Sequence, residues 1–334
     1  MRRIATIALL AALLFGGCGD DDEAGEPETT PSGPFAETLA ELGGGGANAS
    51  LGVSWVDPRQ VARAGGGGEL IADVLAPNAD TVVEASPALE RRFGFDPLEA
   101  DRLVSVGGSY AFGIRLDGVD GRGLARALVD AGGRSRPGDG VRMIEIGDYA
   151  VVPRPLLDAD VNGLGAYDAL GPDLSVLAIS DRARSALLGE GDRLFDEPTY
   201  AAAAGCLGND VVAARMVPDK QLLSIETGID MVAIGVTAGG DVLCALGGSP
   251  ERADEVEKAL RVSLAPDARD PVTGEPLSAS VDGVEVTREA VGEVEVVRAE
   301  LELAPGADPG FLFATIPTGS LVSILNGDPE SFLP

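Results

Sequence analysis

The sequence predicts an α+β protein made of two tandem repeats, each a mostly antiparallel sheet with helices packed on one face. Three observations support this fold class. Strand-like runs joined by Gly-Gly turns give hairpins rather than strand–helix–strand units. The order of helices and strands in residues 34–190 recurs in residues 196–334. The chain of 334 residues is 45% hydrophobic and 24% charged, which is typical of a globular protein with a buried core.

The N-terminal residues have the pattern of a secretory signal. Two arginines precede the mostly apolar residues 4–15, a stretch shorter than the about 20 residues that a membrane-spanning helix needs. Gly16 and Gly17 then lead into Cys18. Small residues directly before a cysteine resemble the lipobox of bacterial lipoproteins. The alternative is an ordinary cleaved signal that is followed by an incidental cysteine.

The resemblance to lipoproteins implies a signal peptide at 1–17 and a lipid, such as palmitate, attached to Cys18 after cleavage. The membrane would then be one partner, contacted through this anchor from the extracytoplasmic side. Residues 18–33 are acidic, rich in Pro and Gly, and poor in large apolar groups. We therefore expect them to form a solvated tether.

The first repeat, 34–190, differs from the second mainly by an insertion at 58–101, in which helices are expected at 69–75 and 86–93. Its other expected elements are a helix opened by Pro34, a strand at 50–56, a hairpin of 103–106 and 109–116, a helix capped by Asp120, strands at 141–146, 149–152 and 174–180, and a helix at 183–188.

The second repeat, 196–334, shows the same order without the insertion. Its expected elements are a helix opened by Pro198, a strand at 210–217, a hairpin of 232–237 and 241–246, a helix capped by Ser249, strands at 283–287, 294–303 and 311–317, and a helix at 320–325. The alternation of apolar and charged residues changes phase at Val296 and Val297, which predicts a bulge there.

This duplicated order behind an acidic, lipidated N-terminus resembles duplicated lipoproteins of unknown function from high-GC Gram-positive bacteria. The segments that carry the likeness are GFDPLEAD at 94–101, before a hairpin, and FDEPTY at 195–200, at the start of the second repeat. The resemblance implies no catalytic residue.

Composition excludes several function classes. The chain has 25 Lys and Arg against 54 Asp and Glu, a net charge of -29, so we expect no nucleic-acid partner. It contains no histidine, which rules out His-dependent triads and imidazole metal ligands. The glycine runs at 43–46 and 65–68 lack the Lys-Ser/Thr of a phosphate-binding loop and are interpreted as flexible connectors. No cofactor is expected.

Cys206 and Cys244 are the two cysteines left after lipidation. An exported protein meets an oxidising compartment, so the pair could form a disulfide. Two buried free thiols are the alternative, because cysteine is readily buried as a small hydrophobe.

Asp158, Asp160 and Asn162 place oxygen ligands at alternate positions before Gly163, as in the first half of a calcium loop. The twelfth position of that loop is Ala169 instead of the bidentate glutamate. A polar turn is the alternative interpretation.

The functional hypothesis is a lipid-anchored extracytoplasmic protein without enzymatic activity, which binds or organises a component of the envelope. Its further partner would be an unknown protein or small molecule. One alternative is the solute-binding component of a transporter, which would need a cleft between two lobes. Another is a hydrolase that uses paired acidic residues, for which no particular pair stands out.

Overall fold

The computed structural model describes residues 30–46, 50–76, 80–84, 86–108, 111–130, 134–137, 142–145, 166–170, 174–178, 180–221, 228–270 and 273–327. The described strands are β1 (Gly52–Val56), β2 (Arg102–Gly108), β3 (Ala111–Asp117), β4 (Arg134–Pro137), β5 (Arg142–Glu145), β6 (Ala166–Leu170), β7 (Leu174–Ala178), β8 (Ala213–Pro218), β9 (Met231–Val236), β10 (Gly240–Leu246), β11 (Val281–Val291) and β12 (Val294–Leu303).

The described helices are α1 (Pro34–Glu41), α2 (Pro58–Arg63), α3 (Gly68–Leu75), α4 (Asp80–Glu84), α5 (Ser86–Phe93), α6 (Gly121–Asp130), α7 (Asp181–Leu187), α8 (Pro198–Leu207), α9 (Pro250–Ser263), α10 (Phe311–Ala314) and α11 (Ser320–Asn326). None of them is long and apolar enough to cross a membrane.

The strands form one antiparallel sheet of 12 strands, so the protein is α+β. Their order is β11-β12-β10-β9-β8-β1-β2-β3-β7-β6-β5-β4. At the centre β1 pairs with β8, with Val53 opposite Met216 and Val56 opposite Ala213. Strands from the two halves of the chain therefore meet in a continuous hydrogen-bonded ladder.

Side-chain caps and prolines begin several helices where the sequence indicates them. The Ser249 hydroxyl accepts a hydrogen bond from Arg252 N at 3.2 Å at the start of α9, and Asp120 Oδ1 accepts one from Gly123 N at 2.9 Å at α6. Proline occupies the first turn of α1, α8 and α9, where its missing N–H costs no helical bond.

Helices cover both faces of the sheet, so the prediction that they pack on one face is wrong. We call the two apolar layers the small core, with α1, α7 and α8, and the large core, with α2 to α6 and α9 to α11. The reason lies in the central strands β8, β9 and β10, in which every residue is buried. Successive side chains point to opposite faces, so a strand with no exposed residue must be covered twice.

Strand β12 runs without interruption through Val296 and Val297, and the bulge predicted there does not occur. Val296 belongs to the small core and Val297 to the large core. Two consecutive valines therefore reflect burial of both faces rather than a change of phase. The register shift lies instead in β11, between Val281 and Gly283.

The predicted strand at 311–317 is wrong, because Phe311–Ala314 is helix α10. Leu312 and Phe313, which are consecutive in this helix, are both buried in the large core. Two successive buried side chains suit a short helix that packs on the sheet as well as they suit a strand, so apolarity alone did not distinguish the two.

The glycines at 43–46 form a close-packed joint, and their interpretation as a flexible connector is wrong. Gly43 N donates to Ala186 O and Gly45 N to Asp192 O, both at 2.8 Å. A Cβ on Gly43 would lie 2.1 Å from Glu190 O. Glycine is needed here because two backbone segments touch.

Candidate binding site

A row of polar side chains crosses the middle of the sheet on the large-core face. Ser54 of β1 lies directly opposite Ser105 of β2 on one side and Arg215 of β8 on the other. Residues opposite each other in an antiparallel pair have Cβ atoms about 5 Å apart. We call Ser54, Ser105 and Arg215 the polar row.

All three members of the polar row are at least nine-tenths buried. The exposed fraction is 7% for Ser54, 7% for Ser105 and 9% for Arg215. Two residues further along their strands, Val56 and Leu103 belong to the large core. The row thus interrupts an otherwise apolar surface.

Placing three polar residues in an apolar layer costs free energy unless each finds hydrogen-bond partners or water. The hydroxyls of Ser54 and Ser105 are not among the buried side-chain atoms that lack a hydrogen-bond partner in the described residues. The row is therefore a polar strip that the surrounding core does not require for packing.

Residues without side chains continue the row toward the turn between β2 and β3. Gly52 lies opposite Gly107, and both are partly exposed. A Cβ on Gly52 would lie 2.6 Å from Gln221 Oε1, so the glutamine amide lies over this glycine. Phe112, which is opposite Gly107, packs against the large core beside them. The Gln221 amide therefore covers the sheet over Gly52, where the row approaches solvent.

Arg215 is a cation in a strand that is otherwise buried and uncharged. It also interacts with another group of the chain. A guanidinium has five N–H donors in a fixed plane, so a buried arginine can serve several acceptors at once.

A second polar cluster joins α1 to β2 and β3, and its groups satisfy one another. Asp117 accepts from Arg102 Nε at 2.7 Å and from Arg115 Nε at 2.8 Å, and Glu41 accepts from Arg115 Nη2 at 2.6 Å. Burial lowers the pKa of Arg115, but its hydrogen bond to Asp117 and the charges of Asp117 and Glu41 outweigh burial and raise it. The Thr38 hydroxyl accepts from Arg102 Nη1 at 3.1 Å. This closed network fixes α1 to the sheet.

Asp241, at the start of β10, is completely buried. It accepts hydrogen bonds from Gly310 N at 2.8 Å and from Leu312 N at 3.3 Å, and so holds the first turn of α10. Desolvation raises the pKa of Asp241 to about 6, although the two hydrogen bonds oppose the shift. Both of these partners are backbone groups, so we assign Asp241 a structural role.

Of the site residues that the sequence singles out, the structure describes two, Cys206 and Cys244. Cys206 of α8 and Cys244 of β10 form a disulfide with Cα atoms 6.3 Å apart, and both side chains are buried. Cys18 lies outside the described residues, as do the candidate calcium ligands Asp158, Asp160 and Asn162. Within the described ranges, no three Cys, Asp or Glu residues are grouped so that they could hold a metal ion.

The amino-acid sequence alone does not indicate the polar row, because serine is common in strands and turns alike. The available signal was Arg215, the one charged residue in the run VVAARMV at 211–217. A charge inside an apolar strand needs a partner, and that requirement marks the position.

No protein family matches the sequence, and no curated protein does. Among solved structures, TP0453 in its crystal form IV is similar over 86% of this chain and 96% of its own length, with 10% sequence identity and a TM-score of 0.40. A likeness of this size carries no argument about either fold or function.

Proposed function

We propose that the protein is a lipid-anchored extracytoplasmic binding module without enzymatic activity. The signal-like residues 1–17 and the cysteine at position 18 support the anchor. The disulfide between Cys206 and Cys244 supports the extracytoplasmic location, because disulfides persist in oxidising compartments and are rare in the cytosol.

The observation that carries the binding role is the polar row itself, three polar residues that are more than nine-tenths buried on an otherwise apolar face of the sheet. Ser105 of β2, Ser54 of β1 and Arg215 of β8 lie opposite one another across three neighbouring strands. A core that only needed stability would favour apolar residues at these positions, because burying polar groups costs free energy. A ligand that forms hydrogen bonds with these groups would offset that cost.

We also propose that the body is a duplicated unit with repeats at 34–190 and 196–334. The sheet order supports this. Outward from the pair of β1 and β8, the strands β1, β2, β3, β7 and β6 follow on one side, and β8, β9, β10, β12 and β11 on the other. Strands β5 and β4 then extend the first side and have no counterpart on the second. In this correspondence β12 takes the place of β7, and the helices α1 and α8 precede the central strand of each half.

The continuous sheet favours a single binding module over the solute-binding component of a transporter. That role needs a cleft between two lobes, whereas β1 and β8 are hydrogen-bonded directly to each other. The described residues from Pro31 onward belong to one compact unit.

Lipidation and location are tested by expressing the full chain in a bacterial host with a metabolic fatty-acid label. We expect the label in the membrane fraction for the natural sequence and its loss in Cys18→Ser. Cys206→Ser is the matched control, because it replaces another cysteine and should keep the label. An unlabelled natural chain would overturn the anchor.

Binding is tested by thermal unfolding of the full-length protein with a broad panel of envelope solutes. A ligand that binds only the folded state raises the melting temperature. We expect at least one solute to do so in the natural chain and not in Ser54→Ala. The binding role is overturned if every solute leaves the melting temperature unchanged.

A further inference from the structure

We propose that one end of the sheet faces an anionic phospholipid surface. This end consists of the outermost strand β4, its neighbour β5, and α6, which packs on β5 and β6. We call it the basic end. This inference rests on the proposed lipid anchor, which brings the body to a membrane, and adds the side of the body that contacts the headgroups.

The two ends of the sheet carry opposite charge. Residues 121–145, which contain α6, β4 and β5, have five Arg against three Asp and Glu, although the whole chain has a net charge of -29. Residues 281–303, which form β11 and β12 at the other end, have seven Asp and Glu against two Arg. Neighbouring strands lie about 4.8 Å apart, so the ends of the 12-stranded sheet are about 50 Å apart along it.

Helix α6 supplies exposed arginines. Arg122 and Arg126 are about one turn apart and exposed, and Val129, which is 37% exposed, continues the same stripe. Neither arginine forms an ion pair with a residue that the structure describes. Arg122 lies in the first turn of α6 and Asp130 is its last residue, which is the reverse of what the helix dipole favours. Stability of α6 therefore does not account for these charges, whereas an anionic partner does.

The edge strands add arginines that have no acidic residue opposite them. In the register of β4 and β5, Arg136 lies opposite Met143 and Arg142 lies opposite Pro137. On its other side Arg142 lies opposite Ala169 of β6. Positive residues of the two edge strands thus adjoin those of the helix that packs beside them.

Strand β4 is poorly suited to pairing with a second copy of the chain. It has only four residues, and Pro137 lacks the N–H that a further strand would need. Charged residues on an edge, here Arg134 and Arg136, also disfavour strand addition. A lipid surface requires no strand pairing, so it suits this end better than another sheet does.

Screening allows an acidic protein to approach an anionic surface by its basic end. At physiological ionic strength the Debye length is about 8 Å, so charges about 50 Å from the membrane contribute little. The arginines of the basic end would lie close enough to attract anionic lipid. Approach by the acidic strands β11 and β12 would be opposed.

The proposed anchor is long enough for this orientation. Residues 18–33 span at most about 55 Å when fully extended. Gly33 lies near the middle of the sheet, because a Cβ on it would be 2.9 Å from the Cα atom of Asn209, shortly before β8. From β8 to β4 the sheet extends about 34 Å.

The test is co-sedimentation of the full-length Cys18→Ser chain with vesicles of phosphatidylcholine, with or without phosphatidylglycerol. Without a lipid on Cys18, binding reports the protein surface. We expect a preference for the anionic vesicles that disappears in about 0.5 M salt. Adding Arg122→Gln and Arg126→Gln should lower the partition coefficient by about tenfold or more. Residues 1–17 are the same in every chain compared, so the difference comes from α6.

The matched control adds Arg59→Gln and Lys258→Gln instead. It removes the same amount of charge from side chains that are 65% and 72% exposed on α2 and α9. This control should keep the preference for anionic vesicles. Both double replacements should leave the melting temperature unchanged, because all four side chains are exposed.

The proposal is overturned if the Cys18→Ser chain binds both kinds of vesicle equally, or if the Arg122 and Arg126 replacements leave its preference unchanged. Salt-sensitive self-association that replaces vesicle binding, and that the same replacements abolish, would assign the basic end to a second copy and also overturn it. No preference for anionic vesicles, with normal fatty-acid labelling of Cys18 in the natural chain, would refute the orientation and leave the anchor standing. An intact preference without labelling would refute only the anchor.

Discussion

Reduction of the Cys206–Cys244 disulfide should lower the free energy of unfolding by about 4 kcal/mol. The two cysteines are 38 residues apart in sequence, and the bond joins α8 to β10 across the small core. In the chain-entropy treatment, a cross-link that closes a loop of this length removes about 13 cal/mol/K from the unfolded state, which is about 4 kcal/mol at 25 °C.

The assay is urea unfolding of a Cys18→Ser chain, with and without reductant, so that only this disulfide responds. With an m-value of about 3 kcal/mol/M, the midpoint should fall by about 1.3 M. The double variant Cys206→Ala/Cys244→Ala is the control and should be insensitive to reductant. A difference below about 1 kcal/mol between oxidised and reduced chains would refute the reasoning, because the loop would then be closed by other means in the unfolded state.

Three further predictions concern single side chains. The pKa of Asp241 is about 6 in the folded protein and 3.8 in an unstructured chain, so the fold favours the protonated carboxyl. The resulting stabilisation, about 3 kcal/mol, is fully present below about pH 4 and is lost as the pH rises through 6. Asp241→Asn should therefore gain stability relative to the natural chain between pH 4 and 7 in urea unfolding, and a difference that stays constant with pH would contradict this. Gly43→Ala should cost at least about 2 kcal/mol in thermal unfolding, because its Cβ would overlap Glu190 O, whereas Gly67→Ala, with open space around it, should cost little. Tyr200→Phe should cost about 1–2 kcal/mol, because the buried hydroxyl donates to Leu51 O at 2.6 Å; an unchanged urea midpoint would count against that hydrogen bond.

Features that depend on neighbouring residues could be predicted from the sequence. Ser249 caps α9 and α5 spans Ser86–Phe93, as expected, because capping and helical periodicity act within a few residues. The hairpin of β9 and β10 turns between Val236 and Gly240, as expected, and Gly240 has a positive φ of 153°, which residues with a side chain rarely adopt.

Features that depend on distant parts of the chain could not be predicted. Val296 and Val297 suggested a bulge because the sequence does not say that α8 and α9 cover opposite faces of the same sheet. The polar row was equally hidden, because Ser54 and Ser105 become neighbours only through strand pairing over 51 positions (105 minus 54). Burial of both faces and cross-strand proximity are tertiary properties.

The pairing of β1 with β8 has a consequence for folding. Because β1 and its partner β2 precede β8 in the chain, a protein that has folded only its first half has a β1 edge without a hydrogen-bonding partner. Such an edge readily pairs with foreign strands. A chain that ends before β8 would therefore keep this unpaired edge of β1, and we expect such a fragment to aggregate more readily than the full-length protein.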